Sequence, residues 1–348
     1  MAILAVGIII LELSFGNWVR NDSLNKLNIV RSKTIKFKID HVYKSPSSIA
    51  VYTRDKYGLR GSFPTPSDIS ILTVGGSTTD QRYITDGQTW QDVLQRKIQN
   101  AGGNIFVGNA GIDGQSTYGH IKNFDWWFNN IPGLKPKYII FYIGINDLNL
   151  DKGRELISEG NKKSFRQIFR EKSALYYVGY TLYGIYSAKI EHKAGHGYVD
   201  FNKVEWTTSP LQNDYNAMMH KRISDYSYRL AVLISKTREF GSIPIIVTQP
   251  TRRYRFRNGS IEGVKETINY GDAKINGVDY FHMITKMYEV TGEICKANNV
   301  IFIDMGKERI WADDDFYDLS HMNPIGARKV GEYLFERIKG IILPTLII

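Results

Sequence analysis

A single cysteine, Cys295, stands in 348 residues, so no intramolecular disulfide can form and no thiolate cluster can hold a metal. Its setting in EICKANN reads as helical, a buried spacer rather than a nucleophile with a partnered base. Proline is scarce at 10 residues, and low-complexity tracts and internal repeats are absent, which excludes extensive disorder and solenoid architectures. Acidic residues number 35 against 45 Lys and Arg, a net charge of +10. No zinc-finger spacing, RNA-binding signature or compact Lys/Arg run accompanies that charge, so nucleic acid is not an expected partner. Lipid head groups, acidic glycans or a plainly solvated surface remain as readings of it.

Long hydrophobic runs are also few. The first residues, MAILAVGIIILELSFGNW (1–18), form one that only Glu12 interrupts. It is marginal beside the roughly 20 apolar residues of a bilayer span, and no Ala-x-Ala-like cleavage site follows. The run reads as an uncleaved membrane anchor, with an N-terminal core helix as the alternative. Arg20, Lys26, Arg31, Lys33, Lys36 and Lys38 all follow it, which by the positive-inside rule keeps the rest of the chain cytoplasmic. Residues 19–66 read as a linker and lead-in cap, and 67–348 as the main domain with an insert at 151–241.

What the chain does have, from residue 69 on, is alternation. Apolar strand-like segments at 69–74, 104–111, 137–144, 242–250 and 299–305 are separated by helix-like segments at 89–102, 117–130, 213–239 and 324–340. That order predicts a three-layer α/β/α sandwich around a central, mainly parallel five-stranded sheet. Ligands in such sheets sit at the carboxyl ends of the strands, which directs attention to the loops after 74, 108, 144, 250 and 305. Within the insert, Tyr176, Tyr180 and Tyr183 fall at helical spacing and either pack on the sheet or line a substrate or lipid-facing wall.

VGGSTTD (74–80) follows the first of these strands. It lacks the lysine of a phosphate-binding loop and the third glycine of a dinucleotide fingerprint, so neither nucleotide device fits. The remaining reading is a turn that lifts the Ser77 hydroxyl out of the sheet as a nucleophile. DLSHMNPIG (318–326) offers His321 as a base and Asp318 to orient it. NAGIDGQST (109–117) and GINDL (144–148) can bring backbone N–H groups and the Asn146 amide to the same cleft. TRRYRFRNG (251–259) follows the fourth strand, and Arg252 and Arg253 are candidate clamps for an anionic substrate, or part of a solvated loop. His192 and His196 are spaced as a metal pair, but glycines disfavour a helix there and nothing completes a site. His120 reads as helix surface. No cofactor or metal is expected.

GGST, NAGIDG, GIND and DLSH together resemble the four sequence blocks of the SGNH (GDSL-type) hydrolase superfamily, from about residue 69 to 340. The resemblance implies a flavodoxin-like SGNH hydrolase fold and a serine ester hydrolase. By it Ser77 is the nucleophile, His321 the base and Asp318 its orienting acid. The oxyanion donors are the N–H groups of Ser77 and Gly114, with Gly111 as runner-up, and the Asn146 side chain. Gly76 departs from the family's namesake aspartate. The expected substrate is an O-acetylated polysaccharide or cell-envelope glycan. An O-acetyltransferase using the same acyl-serine, a lipase or thioesterase, and a non-catalytic glycan-binding protein are the alternatives. The superfamily resemblance favours a membrane-anchored protein with an extracytoplasmic catalytic domain, against the loop charges.

Overall fold

A computed structural model describes residues 2–16, 18, 24, 29–148, 169, 172–176, 178–179 and 197–346. The chain divides into two units, one of residues 1–29 and 155–196 and the other of residues 30–154 and 197–348. In the first, the apolar run forms helix α1 (Ala2–Phe15), followed by Gly16. Its 14 residues rise about 21 Å, well under the roughly 30 Å of a hydrocarbon core. Among the described residues no helix is long and apolar enough to cross a membrane, so the expected spanning anchor over 1–18 is not supported. Glu12 is not a stray charge in this helix. Its carboxylate accepts from the Trp18 Nε1–H and Ser173 Oγ–H, both at 2.6 Å, and from the N–H groups of Ala174 and Leu175. Of the other insert residues singled out, Tyr176 is partly buried, while Tyr180, Tyr183, His192 and His196 lie outside the described residues.

The second unit opens with β1 (Lys33–Lys38), β2 (Ile49–Arg54), β3 (Ile69–Gly75) and the one-turn helix α2 (Ser77–Asp80). There follow α3 (Trp90–Asn100), β4 (Phe106–Asn109), α4 (Thr117–Trp126), β5 (Tyr138–Ile143) and α5 (Ile145–Leu148). Then come β6 (Trp206–Thr207), α6 (Tyr215–Glu239), β7 (Ile243–Thr248), β8 (Tyr254–Arg257) and β9 (Ser260–Val264). The chain continues through β10 (Ile268–Tyr270), β11 (Ala273–Ile275), α7 (Gly277–Ala297), β12 (Ile301–Ile303) and α8 (Pro324–Leu346). The central sheet has the order β12-β7-β5-β3-β4, and every pairing in it is parallel. Counted by position in the chain, its five strands run 2-1-3-4-5, the flavodoxin-like order. The expected SGNH hydrolase architecture is therefore present.

Each layer follows from local sequence. All six residues of β5 are buried, as a strand covered on both faces requires. Ile71, Ile140, Tyr142, Ile245, Val247 and Ile303 share one core with Trp90, Leu94 and Ile98 of α3 and Val330, Leu334 and Ile338 of α8. The alternate residues Leu72, Val74, Ile139, Phe141 and Ile246 are also buried; by the strand period of two they face the opposite side, where α4, α6 and α7 pack. Thr89 starts α3 with a capping box to Asp92, and Asn276 starts α7 with one to Asp279.

Not all of this is anticipated by pattern. The stretch read as a linker holds the antiparallel pair β1–β2, while β6, β8 and β9 form a small antiparallel sheet and β10–β11 a separate pair. His120 is not on the surface but 1% exposed, with Gln115 against its ring.

The two halves of the sheet's carboxyl edge are linked by a buried ion pair. Asp147 of α5 and Arg229 of α6 are each 1% exposed with 3.5 Å between them. The Thr117 hydroxyl donates to Asp147 and accepts from Arg229 Nε at 2.9 Å. Burial pushes the Asp147 carboxyl up, and Arg229 opposes this. Arg229→Leu is expected to cost about 3–5 kcal/mol, since it strands a buried charge. Arg229→Met combined with Asp147→Asn should recover most of that loss, and urea midpoints for the three proteins check the order.

Candidate active site

The site is assembled on the carboxyl ends of the strands. The chain leaves β3 at Gly75, turns at Gly76 and enters α2, with Ser77 as the first helical residue. Across the cleft, the loop carrying Asp318 and His321 is closed by the bridge between Phe316 and Met322 and by the Tyr317 N–H donating to His321 O at 3.0 Å. Leu319 O receives the Thr251 hydroxyl at 2.7 Å and the Arg252 N–H at 2.8 Å, which anchors the loop to the end of β7.

These supports bring three of the candidate side chains into one chain of contacts. Ser77 Oγ lies 2.7 Å from His321 Nε2, although 244 residues separate them. His321 Nδ1 lies 2.8 Å from Asp318 Oδ2 and 2.9 Å from Oδ1. Asp318 also accepts from the N–H groups of Ser320 and His321, so the carboxylate is fixed by its own turn. The Tyr317 ring stacks on the His321 ring at 5.6 Å with 10° between planes, and the Tyr43 ring stacks on Tyr317 at 5.8 Å. Burial raises the Tyr317 phenol well above its ordinary value and the Tyr43 phenol to about 12, so both stay neutral beside the imidazole. With Nδ1–H directed at Asp318, Nε2 faces the Ser77 hydroxyl as the acceptor for its proton.

Of the candidate oxyanion donors, the Asn146 amide stands at the same turn. Asn146 Nδ2 donates to Gln115 O at 2.9 Å, which spends one of its two amide hydrogens and leaves the other. A Cβ placed on Gly76 would come within 2.3 Å of that Nδ2. A side chain at position 76 would therefore displace the Asn146 amide from its present place. Gly114 has φ +71°, the left-handed region that favours glycine, and its N–H has no partner among the described residues. The Gly111 N–H donates to Asn109 Oδ1 at 2.8 Å. The runner-up is thus already occupied.

Arg252 and Arg253 are not brought to this group. The Arg252 guanidinium is bonded to Asp313 and to Trp311 O, and Arg253 lies over the Tyr280 ring at 5.3 Å. Arg252 is held by its own carboxylate partner, which leaves no clamp for a substrate anion. Cys295 is buried and its thiol is pushed up to about 12 by burial, consistent with a spacer. Among the described residues no group of three or more His, Cys, Asp or Glu side chains is placed to hold a metal.

Two contributors escape sequence reasoning. Gln249, 3% exposed at the end of β7, accepts the Ile145 N–H at 2.8 Å and donates to the Thr78 hydroxyl at 2.6 Å. It thereby ties the turns after β3 and β5 to one side chain, and its only signal in the sequence is its place at a strand end. The second is the polar cluster behind Asn146: Gln115 exchanges hydrogen bonds with Asn123 at 2.9 Å, and its Oε1 lies 3.0 Å from His120 Nδ1.

Gly76→Ala should reduce hydrolysis of p-nitrophenyl acetate by about 10²–10³-fold, the usual loss for one displaced oxyanion donor, with little change in Tm. His120 gives a pH prediction. Burial lowers its pKa from 6.5 to about 3, so the unfolded chain binds a proton that the folded one refuses. Its contribution is lost as pH falls from 6.5 toward 3, by up to about 1.4 kcal/mol per pH unit. His120→Gln should flatten that acid limb in urea titrations run at a series of pH values.

Residues 73–329, more than half of the chain, match the model of the GDSL-like lipase/acylhydrolase family. No curated protein matches the sequence. Among solved structures, the chain is similar to an acetylxylan esterase from Geobacillus stearothermophilus at 14% identity and a TM-score of 0.42, over 77% of this chain and 93% of that one. It is also similar to the psychrotrophic esterase EstA from Pseudoalteromonas at 13% and 0.40, over 78% and 97%. A member of the lipolytic G-D-S-L family from Veillonella parvula gives 14% and 0.42, over 78% and 96%. With the sheet order and the four strand-end blocks already on the page, the family match establishes that this chain belongs to the GDSL-like lipase/acylhydrolase family, whose members hydrolyse ester bonds.

Proposed function

We propose that this enzyme is a serine esterase that works through an acyl-serine and removes O-acetyl groups from a polysaccharide or cell-envelope glycan. The observation that carries the mechanism is the continuous contact from Ser77 Oγ to His321 Nε2 and from His321 Nδ1 to Asp318. His321 takes the Ser77 proton as Oγ attacks the ester carbonyl, and Asp318 stabilises the imidazolium that forms. The oxyanion receives the N–H groups of Ser77 and Gly114 and the remaining amide hydrogen of Asn146. His321 then returns its proton to the departing alcohol. A water molecule, deprotonated by the same imidazole, attacks the acyl-serine and releases the acid.

The glycan assignment is supported by the surface beyond the His321 loop. A cavity there is lined by Tyr254, Phe256, Trp311, Arg252, Arg255 and Arg309, and two of these arginines are stacked on rings. Arg255 lies over Trp206 at 4.0 Å and Arg309 over Phe256 at 4.3 Å. Rigid aromatic faces edged by hydrogen-bond donors suit sugar rings better than an acyl chain. The tether of such an enzyme to a lipid surface would be α1, where Ile9, Ile10, Leu11, Leu13 and Phe15 are exposed, and its catalytic unit would face the extracytoplasmic side. Protease accessibility in intact against permeabilised cells tests the sidedness.

Ser77→Ala should lower acetate release on the order of a millionfold, with p-nitrophenyl acetate cleaved far faster than a long-chain ester. Wild-type protein that equals Ser77→Ala on every ester offered sinks the mechanism. Preference for long acyl chains sinks the acetyl assignment and leaves the mechanism standing.

A further inference from the structure

Several of the groups that hold the Ser77 turn come from a part of the chain ahead of the family match, which begins at residue 73. α2 is one turn long, so none of its backbone carbonyls has the intrahelical partner that a longer helix would provide, apart from the Ser77 O accepting from the Gln81 N–H at 2.8 Å. The turn is also buried: Thr79, Asp80 and Gln81 are all under a tenth exposed. Its last carbonyls therefore need donors from elsewhere.

Arg60 supplies one for the Asp80 carbonyl, and Arg54 holds the same residue by its carboxylate. Arg60, 2% exposed, donates from Nη1 to Asp80 O at 2.8 Å and Gln81 O at 2.9 Å, and from Nη2 to Ile84 O. Its Nε is bonded to Asp86 at 2.9 Å, and its own N–H and C=O pair with Asn109 at the end of β4. Arg54, 3% exposed, forms an ion pair with Asp80 Oδ1 at 2.6 Å, and the same Nη2 reaches Gly111 O in the loop that carries Gly114. Tyr52 donates to Asp80 Oδ1 at 2.7 Å, and burial raises its phenol to about 12, so it remains a donor across the working range. The Tyr52 ring also lies under both guanidinium groups, at 5.5 Å from Arg54 and 4.8 Å from Arg60.

We infer that the segment 52–60 is a positioning element for the nucleophile, in which Arg54 and Arg60 lock the turn that aims Ser77 and join it to the loop bearing the Gly114 donor. The inference rests on the serine-esterase reading above. Neither arginine touches substrate. Their effect is to remove the freedom of a one-turn helix whose small rotation would break the 2.7 Å contact between Ser77 and His321. A guanidinium suits this role because Arg60 bonds three carbonyls and a carboxylate from one rigid planar fork, one acceptor more than the three donors of an ammonium can serve.

The test compares wild type, Arg60→Lys, and Arg54→Met combined with Asp80→Asn, which removes the ion pair without leaving a buried charge. Each is measured well below its own Tm, for kcat and KM on p-nitrophenyl acetate and for the rate of Ser77 labelling by a fluorophosphonate. The expected result is a kcat loss of about 10–100-fold at unchanged KM, with labelling slowed by the same factor in folded protein. Tyr52→Phe, which removes one hydroxyl and is expected to fold, should give a smaller loss in the same direction and carries the test if the double variant does not fold. Folded variants within twofold of wild type in kcat and labelling overturn the inference alone. A wild-type chain that takes up no label refutes the serine mechanism, and the inference with it.

Discussion

The site depends on how a single buried helical turn disposes of its backbone carbonyls. Thr78 O takes the Trp90 indole N–H, Thr79 O takes amide hydrogens from Gln91 and Asn109, and Asp80 O takes the Arg60 guanidinium. The donors arrive from three places: the start of α3, the end of β4, and the segment after β2. A buried carbonyl left without a donor costs on the order of 1–3 kcal/mol, so the turn is stable in only the one orientation that satisfies them all. Ser77 inherits that orientation. The Gln249 side chain adds a lateral tie from the fourth strand, and the imidazole meets a hydroxyl whose place is already settled.

Much of the fold can be read from residue pattern. Apolar stretches such as Tyr138–Ile143 and Ile243–Thr248 have one stable home, the middle of a parallel sheet, and glycines and polar residues cluster where those strands end. The four strand-end blocks are visible because their chemistry is compressed into a few residues each. The contacts that connect them are not, since hydrogen bonds between residues far apart in sequence leave no periodic trace.

The segment from 19 to 66 shows why the rest is hidden. In KTIKFK, three lysines in six residues look like a basic linker, yet Thr34, Lys36 and Lys38 alternate with Ile35 and Phe37 as a half-exposed strand needs, the apolar pair turned inward. Arg54 and Arg60 look like two more surface charges there. They are among the least exposed arginines of the chain because a carboxylate, a ring and several carbonyls accompany them into the interior. The reverse error affects Arg252: a cluster of arginines after a strand suggests an anion site, but a carboxylate from a distant loop, Asp313, has claimed it. Helix α7 is equally hard to foresee, since only the setting of Cys295 marks it as helical.

The order of the strands also has a consequence for how the protein is made. Ser77 follows β3, the first strand of the central sheet in chain order, and leaves the ribosome early, together with the arginines that steady it. His321 follows β12, the edge strand and the last to join the sheet. Docking of the loop that follows it joins His321 to Ser77 across 244 residues and is therefore expected to come late in folding. A growing polypeptide can thus carry a formed nucleophile turn for most of its synthesis without any base to activate it. Chemical competence arrives with the final tenth of the chain, when the fold that must contain it is already built.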